Sequence, residues 1–280
     1  MKRTINTGLI KEKIAGLIYE ASFILPAYVE DKLRQMHQGE NAGMAKDTLG
    51  ILLENAEIAK KEELPLCQDC GIAIIFLEIG QDVDLEGSYI NDAVNEGVEE
   101  AYSKYYLRKS VAADPLQRTG QAAGGPAVIH TEIVPGDRVK LTVYLKGGGS
   151  ENMSAVRMFN PTDSVEMIIR FIEETVLKAG PNPCPPLFLG IGIGGTADTA
   201  VLNAKKALFR GTEPHPVKFY RELEKTIEER VNRLSVGPLG FGGRYTTAGV
   251  YIKEAPAHIA TLPVALNLGC HSMRYRTAVL

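Results

Sequence analysis

The sequence has no long apolar run. No stretch approaches the roughly 18 consecutive apolar residues of a membrane span, so none is expected. The first residues, Met1-Lys2-Arg3-Thr4-Ile5, lead into no apolar core of about 7–15 residues with a small-residue cleavage site, and no secretory signal is expected. A basic stripe is missing too. The 31 Lys and Arg stand against 34 Asp and Glu, for a net charge of −3, and nucleic acid is not an expected partner. An anionic small molecule is still compatible, because a few placed arginines suffice and the global balance does not report them. Repeats, low-complexity tracts and a clear linker are also absent. A chain of 280 residues can form one large domain or two closely joined ones. With no linker visible it reads as a single domain over 1–280. Cysteine is scarce: only Cys67, Cys70, Cys184 and Cys270 occur. In a chain expected in the cytoplasm, these are ligands, catalysts or buried thiols before they are disulfides.

What is present suits a folded protein with a core, at 45% apolar and 23% charged residues. The first 60 residues read as helices. Leu9, Ile10, Ile14, Leu17 and Ile18 recur at helical spacing, and 27–36 and 44–59 follow the same pattern. The short apolar run 72–77 reads as a buried strand directly after the Cys67–Cys70 segment. A helix is expected over 88–107, then two paired strands, 128–134 and 139–144, around the turn Pro135-Gly136-Asp137. Next come an amphipathic helix over 162–178, a strand over 186–193, and helices over 197–209 and 217–234. A glycine-rich passage then runs up to Arg244. Strand pairs mixed with helices predict an α/β (mixed α+β) fold, with mixed β-sheets flanked by helices.

Two glycine-rich stretches invite a chemical reading. Gly190-x-Gly192-x-x-Gly195 matches the dinucleotide fingerprint and lies between a strand and a helix. The required second parallel strand with an acidic end, about 20 residues on, is missing, since 211–216 leads straight into a helix. Close packing of strand, turn and helix is the expected role of these glycines. Lys146-Gly147-Gly148-Gly149-Ser150 offers either backbone N–H groups to an anion or a flexible turn.

The cysteines fall as Cys67-Gln68-Asp69-Cys70, with Cys184 and Cys270 far away in sequence. A redox pair should open a helix, whereas this one precedes a strand. A four-cysteine zinc site would show a second close pair. Isolated structural thiols are a further option. An iron–sulfur cluster held by three thiolates leaves one iron open to polarise a substrate hydroxyl. Spacing alone does not say which three cysteines would serve.

Cys67-Gln68-Asp69-Cys70-Gly71, Lys146-Gly147-Gly148-Gly149-Ser150-Glu151-Asn152, Cys184-Pro185-Pro186, Gly194-Gly195-Thr196 and Leu268-Gly269-Cys270 occur in that order. The combination resembles the class I fumarate hydratases and their relatives, the α subunits of L-tartrate dehydratase, over nearly the whole chain. The resemblance implies a 4Fe-4S cluster on Cys67, Cys184 and Cys270. Relatives often carry threonine at the position of Cys70, which is therefore not an expected ligand. Gln68 and Asp69 would contact the substrate, with Asp69 the proton donor to the leaving hydroxyl. Arg108 would take a carboxylate through two parallel hydrogen bonds. Gly148 would offer its N–H, and His258, twelve positions before Cys270, would bond near the substrate hydroxyl. Bland roles compete: Arg108 as a helix-dipole partner, Asp69 as a turn residue, His258 as a structural histidine. The segment 119–126 departs from the asparagine- and threonine-rich version common in relatives.

The implied activity is reversible hydration of fumarate to L-malate by a hydro-lyase, with tartrate dehydration to oxaloacetate as the alternative. The chain stops ten residues after Cys270, where single-chain relatives continue into a further domain bearing the base. A separate β subunit, in an α2β2 assembly, is therefore expected. In a different class, a zinc or redox protein would use Cys67 and Cys70 together.

Overall fold

A computed structural model describes residues 2–41, 43–118 and 123–280. The departing segment noted above lies partly outside them, at 119–122. In chain order the elements are β1 (Arg3–Asn6), α1 (Thr7–Phe23), α2 (Ala27–Gly39), α3 (Met44–Glu62), β2 (Ile72–Gly80), β3 (Val83–Glu86), α4 (Ile90–Lys104), β4 (Val128–Val134) and β5 (Val139–Lys146). There follow α5 (Gly148–Glu151), β6 (Ala155–Phe159), α6 (Val165–Ala179), β7 (Leu187–Gly194), α7 (Ala197–Ala207), α8 (Lys218–Asn232), β8 (Thr247–Ala255), β9 (Leu262–Gly269) and β10 (Tyr275–Val279). The fold is mixed α/β, with three sheets and flanking helices. Where no linker is visible in the sequence, the chain forms two compact units, each assembled from separated segments.

The first unit comprises Met1–Pro26, Ala56–Gly148 and Arg274–Leu280. Its main sheet has the order β10-β5-β2-β4, and β1 pairs with β3 in a small parallel ribbon. The expected hairpin of β4 with β5 does not form. Instead β2 lies between them, parallel to β4 and antiparallel to β5. Burial explains the choice. The apolar run in β2 is buried on both faces, as a central strand must be, whereas β4 is mostly exposed and takes the edge. The Pro135–Asp137 turn is still used, for Gln81 N donates to Val134 O at 2.8 Å and Asp82 N to Gly136 O at 2.9 Å. Helix α1 begins at Asn6, whose side chain accepts from Gly8 N at 2.8 Å. Its buried stripe of Ile10, Ile14, Leu17 and Ile18 packs with Val94, Val98, Ile75, Leu141 and Val143 into one core. Each such side chain contributes about 1.5–3 kcal/mol by leaving water.

The second unit comprises Ala27–Asn55 and Gly149–Met273. Its sheet has the order β6-β9-β7-β8, with β7 parallel to β8 and antiparallel to β9. All eight residues of β7 are buried. Helix α7 rests directly on this strand because Gly190 and Gly192 carry no side chain. A Cβ there would collide with the carbonyl oxygens of Ala204 and Ala200. Two helices, α7 and α8, separate β7 from its parallel partner β8. The glycine fingerprint thus serves helix packing. Ile172, Val176, Leu189, Ile191, Ile227 and Leu266 belong to the core of this unit. Strands β6, β8, β9 and β10 carry no assignment from the sequence.

Candidate active site

In the first unit, Cys67-Gln68-Asp69-Cys70 forms the loop leading into β2. Asp69 organises it. Its Oδ1 accepts from Gly71 N at 3.0 Å, and its Oδ2 accepts from Gly148 N at 2.8 Å. The Ser110 hydroxyl approaches Oδ1 at 3.5 Å. The carboxylate therefore ties the cysteine loop to the glycine run after β5. Gly71 permits this closeness: it sits at φ +82°, and a Cβ would lie 2.8 Å from the backbone of Lys146. From below, the buried Tyr102 hydroxyl donates to Gly71 O at 2.7 Å. Burial pushes the Tyr102 phenol well above its ordinary range.

The two thiols of this loop differ. Cys70 is buried, and its Sγ accepts a hydrogen bond from Arg108 N at 3.1 Å. Burial pushes that thiol up, against the smaller opposing effects of the Arg108 amide and the Arg274 charge. Cys67 is half-buried, its Sγ donating to Gln68 Oε1 at 3.4 Å. Arg108 itself follows α4 rather than ending it. The helix stops at Lys104, Tyr106 turns to φ +53°, and Arg108 is exposed. Gly148 N, the group expected to meet a substrate, donates to Asp69 Oδ2 in this structure.

In the second unit, Cys184 lies just before β7 and Cys270 just after β9, at the same end of two antiparallel strands. His271 joins them: its backbone N donates to Cys184 O at 3.2 Å, and its Nδ1 lies 3.1 Å from the same oxygen. Cys184 is exposed and held at φ +55°. For a residue other than glycine, that conformation costs of order 1 kcal/mol and marks a constrained position. Cys270 Sγ lies 3.1 Å from Ser272 Oγ. His258 stands elsewhere. It occupies the exposed turn between β8 and β9, its Nδ1 accepting from Ala260 N at 3.2 Å. The eight residues of β9 separate it from Cys270, roughly 25 Å at the usual strand rise. The structure does not bring His258 to Cys184 and Cys270 within this unit.

The thiols fit a soft-metal group in their chemistry. Cys67, Cys184 and Cys270 are accessible and form no disulfide, whereas Cys70 is enclosed. Among the described residues, neither unit by itself gathers three His, Cys, Asp or Glu side chains into a metal site. The ligand set implied by the resemblance draws Cys67 from one unit and Cys184 and Cys270 from the other. Among the described residues, no helix is long and apolar enough to cross a membrane.

Residues 11–279 match the family model described as Fumarate hydratase (Fumerase). The chain belongs to this family. Curated relatives share its length. A Methanocaldococcus jannaschii protein, named provisionally as L(+)-tartrate dehydratase subunit alpha, is 39% identical over 272 residues, covering 95% of each chain. The L(+)-tartrate dehydratase subunit alpha of Escherichia coli O157:H7 is 30% identical over 275 residues, covering 97% of this chain and 90% of its own. That of E. coli strain UTI89 is 31% identical over 272 residues, covering 96% and 89%. As a fumarate hydratase family member, the protein is a hydro-lyase of the fumarate hydratase or tartrate dehydratase type.

Sequence reasoning about this hydro-lyase missed several supports. Tyr102 was legible only as one more apolar position of α4. Glu151 accepts from Lys205 Nζ at 2.5 and 2.6 Å and from Asn267 Nδ2 at 3.2 Å, which ties the stretch after the glycines to α7 and β9. Lys205 is buried, a signal no spacing rule carries. Arg274 was also missed, because nothing beyond Cys270 was assigned a structure.

Proposed function

We propose that the protein is the α subunit of an iron–sulfur-dependent hydro-lyase that interconverts fumarate and L-malate in the cytoplasm. The observation that carries it is the clamped Asp69 carboxylate, fixed by Gly71 and Gly148 N–H groups beside the accessible Cys67. Cys67, Cys184 and Cys270 would hold a 4Fe-4S cluster, and Cys70 would not. When bound, the cluster supplies a Lewis-acidic iron for the substrate hydroxyl.

This chain's residues do the rest. Asp69, oriented before substrate arrives, passes a proton to the leaving hydroxyl. Arg108 and Gln68, both exposed, hold the carboxylate frame. Gly148 contributes by aiming Asp69. His258, at the far end of the sheet from Cys184 and Cys270, enters this scheme only from a second copy of the chain, in keeping with an α2β2 enzyme. The relatives are named as alpha subunits, which supports a β partner that brings the base for the C3 proton.

Their names also favour a second reading, dehydration of L-tartrate to oxaloacetate. Anaerobic co-expression with the partner, followed by assays on fumarate, L-malate and tartrate, decides between the two. Turnover of fumarate and L-malate is expected. Turnover of tartrate alone transfers the assignment to the second substrate, and a preparation holding zinc without iron or labile sulfide ends both.

A further inference from the structure

Arg274 directly precedes β10, and its backbone carbonyl accepts from Leu145 N at 2.9 Å, extending the pairing of β10 with β5. The side chain turns inward. The residue is only 2% exposed, and its Nε has no hydrogen-bond partner. Among the described residues, no carboxylate forms an ion pair with it. A buried guanidinium left in this state is costly, which gives a reason to look for an anion that meets it.

Gly147 marks where the guanidinium comes nearest to Asp69. An ideal Cβ on that residue would lie 3.4 Å from Arg274 Nη2 and 3.2 Å from Asp69 Oδ2. Guanidinium and carboxylate thus both close on Gly147, where any side chain would press on the two groups at once. Asp69 forms no ion pair with the arginine, and its oxygens accept instead from Gly71 N, Gly148 N and Ser110 Oγ. Gly147 is half-exposed and Gly148 exposed, so this stretch of backbone borders the surface. The charge of Arg274 is also felt at Cys70 and Tyr102, where it opposes the upward push of burial.

We propose that Arg274 is a substrate-binding residue, whose guanidinium receives one carboxylate of the dicarboxylate beside Gly147 while Arg108 serves the other. The proposal rests on the hydro-lyase function above and adds a second anchor at a fixed distance from Asp69. A planar fork of N–H donors suits a carboxylate better than a point charge does, so lysine is an imperfect substitute.

The test measures binding of succinate, an unreactive dicarboxylate, to the assembled enzyme by calorimetry, beside its melting temperature. Arg274→Gln should weaken succinate about 10- to 100-fold, as expected for loss of charge-assisted hydrogen bonds. Arg274→Lys should fall between Gln and wild type. Butyrate, with one carboxylate, should be affected less. Gly147→Ala keeps the arginine but presses a methyl group against its guanidinium and Asp69, so it should weaken succinate too, even if Arg274→Gln fails to fold. Unchanged succinate affinity in folded Arg274→Gln, or in Gly147→Ala, overturns the assignment and leaves the hydro-lyase function standing. A wild-type enzyme that binds no dicarboxylate overturns both.

Discussion

Asp69 accepts hydrogen bonds from two backbone amides before any ligand arrives: the bond from Gly71 N closes a local turn, and the one from Gly148 N fixes the carboxylate against the glycine run. Asp69→Asn keeps the shape but sets an amide against those N–H donors and removes the acid. We expect kcat to fall by about 10²- to 10⁴-fold with iron content unchanged, measured by steady-state kinetics and metal analysis. Tyr102 is the structural counterpart beneath the loop. Burial raises its folded-state pKa above the ordinary value of 10.0, so the stability it contributes is full below that pH. As pH climbs past 10, the unfolded tyrosine loses its proton first, and stability drains away until the folded value is reached. Tyr102→Phe should cost about 1 kcal/mol at neutral pH and flatten that alkaline decline, as read from urea melts at several pH values. Cys67, Gln68, Asp69 and Arg108 stood out as candidates in the sequence because a family resemblance carried them. Arg274 did not, because its meaning lies in burial and in a neighbour's missing side chain.

Among the elements, those with strong periodicity or a long apolar run were legible. Strand β4 falls on the expected residues, and α6, α7 and α8 lie within a few residues of expectation. Pairing was less legible than location. A turn between 128–134 and 139–144 suggested a hairpin, yet the doubly buried β2 outcompeted it for the central position. Strands β8 and β9 were missed because glycine, proline and alanine dilute their β-forming character. The same property has a use in β7, where bare glycines admit α7. Gly192→Ala should push the helix off the strand and destabilise the second unit by about 1–3 kcal/mol or more, observable as a lowered melting temperature.

On the scale of the whole molecule, the expected thiol ligands belong to two units, each discontinuous in sequence. Anoxic reconstitution of Cys67→Ser, Cys184→Ser and Cys270→Ser should each lower bound iron and labile sulfide, whereas Cys70→Thr should keep a full complement. Quantifying iron and sulfide across the four variants checks the assignment. One more consequence follows from the position of β10. It lines the outer side of β5, a strand buried along nearly its whole length, yet the Gly149–Met273 segment of the second unit is encoded between the two. On the ribosome, β5 must therefore wait, with an apolar border uncovered, while that intervening segment is made. Such delayed closure favours slow maturation and sticky nascent chains, and it makes chaperone supply a condition for good yield in a recombinant host.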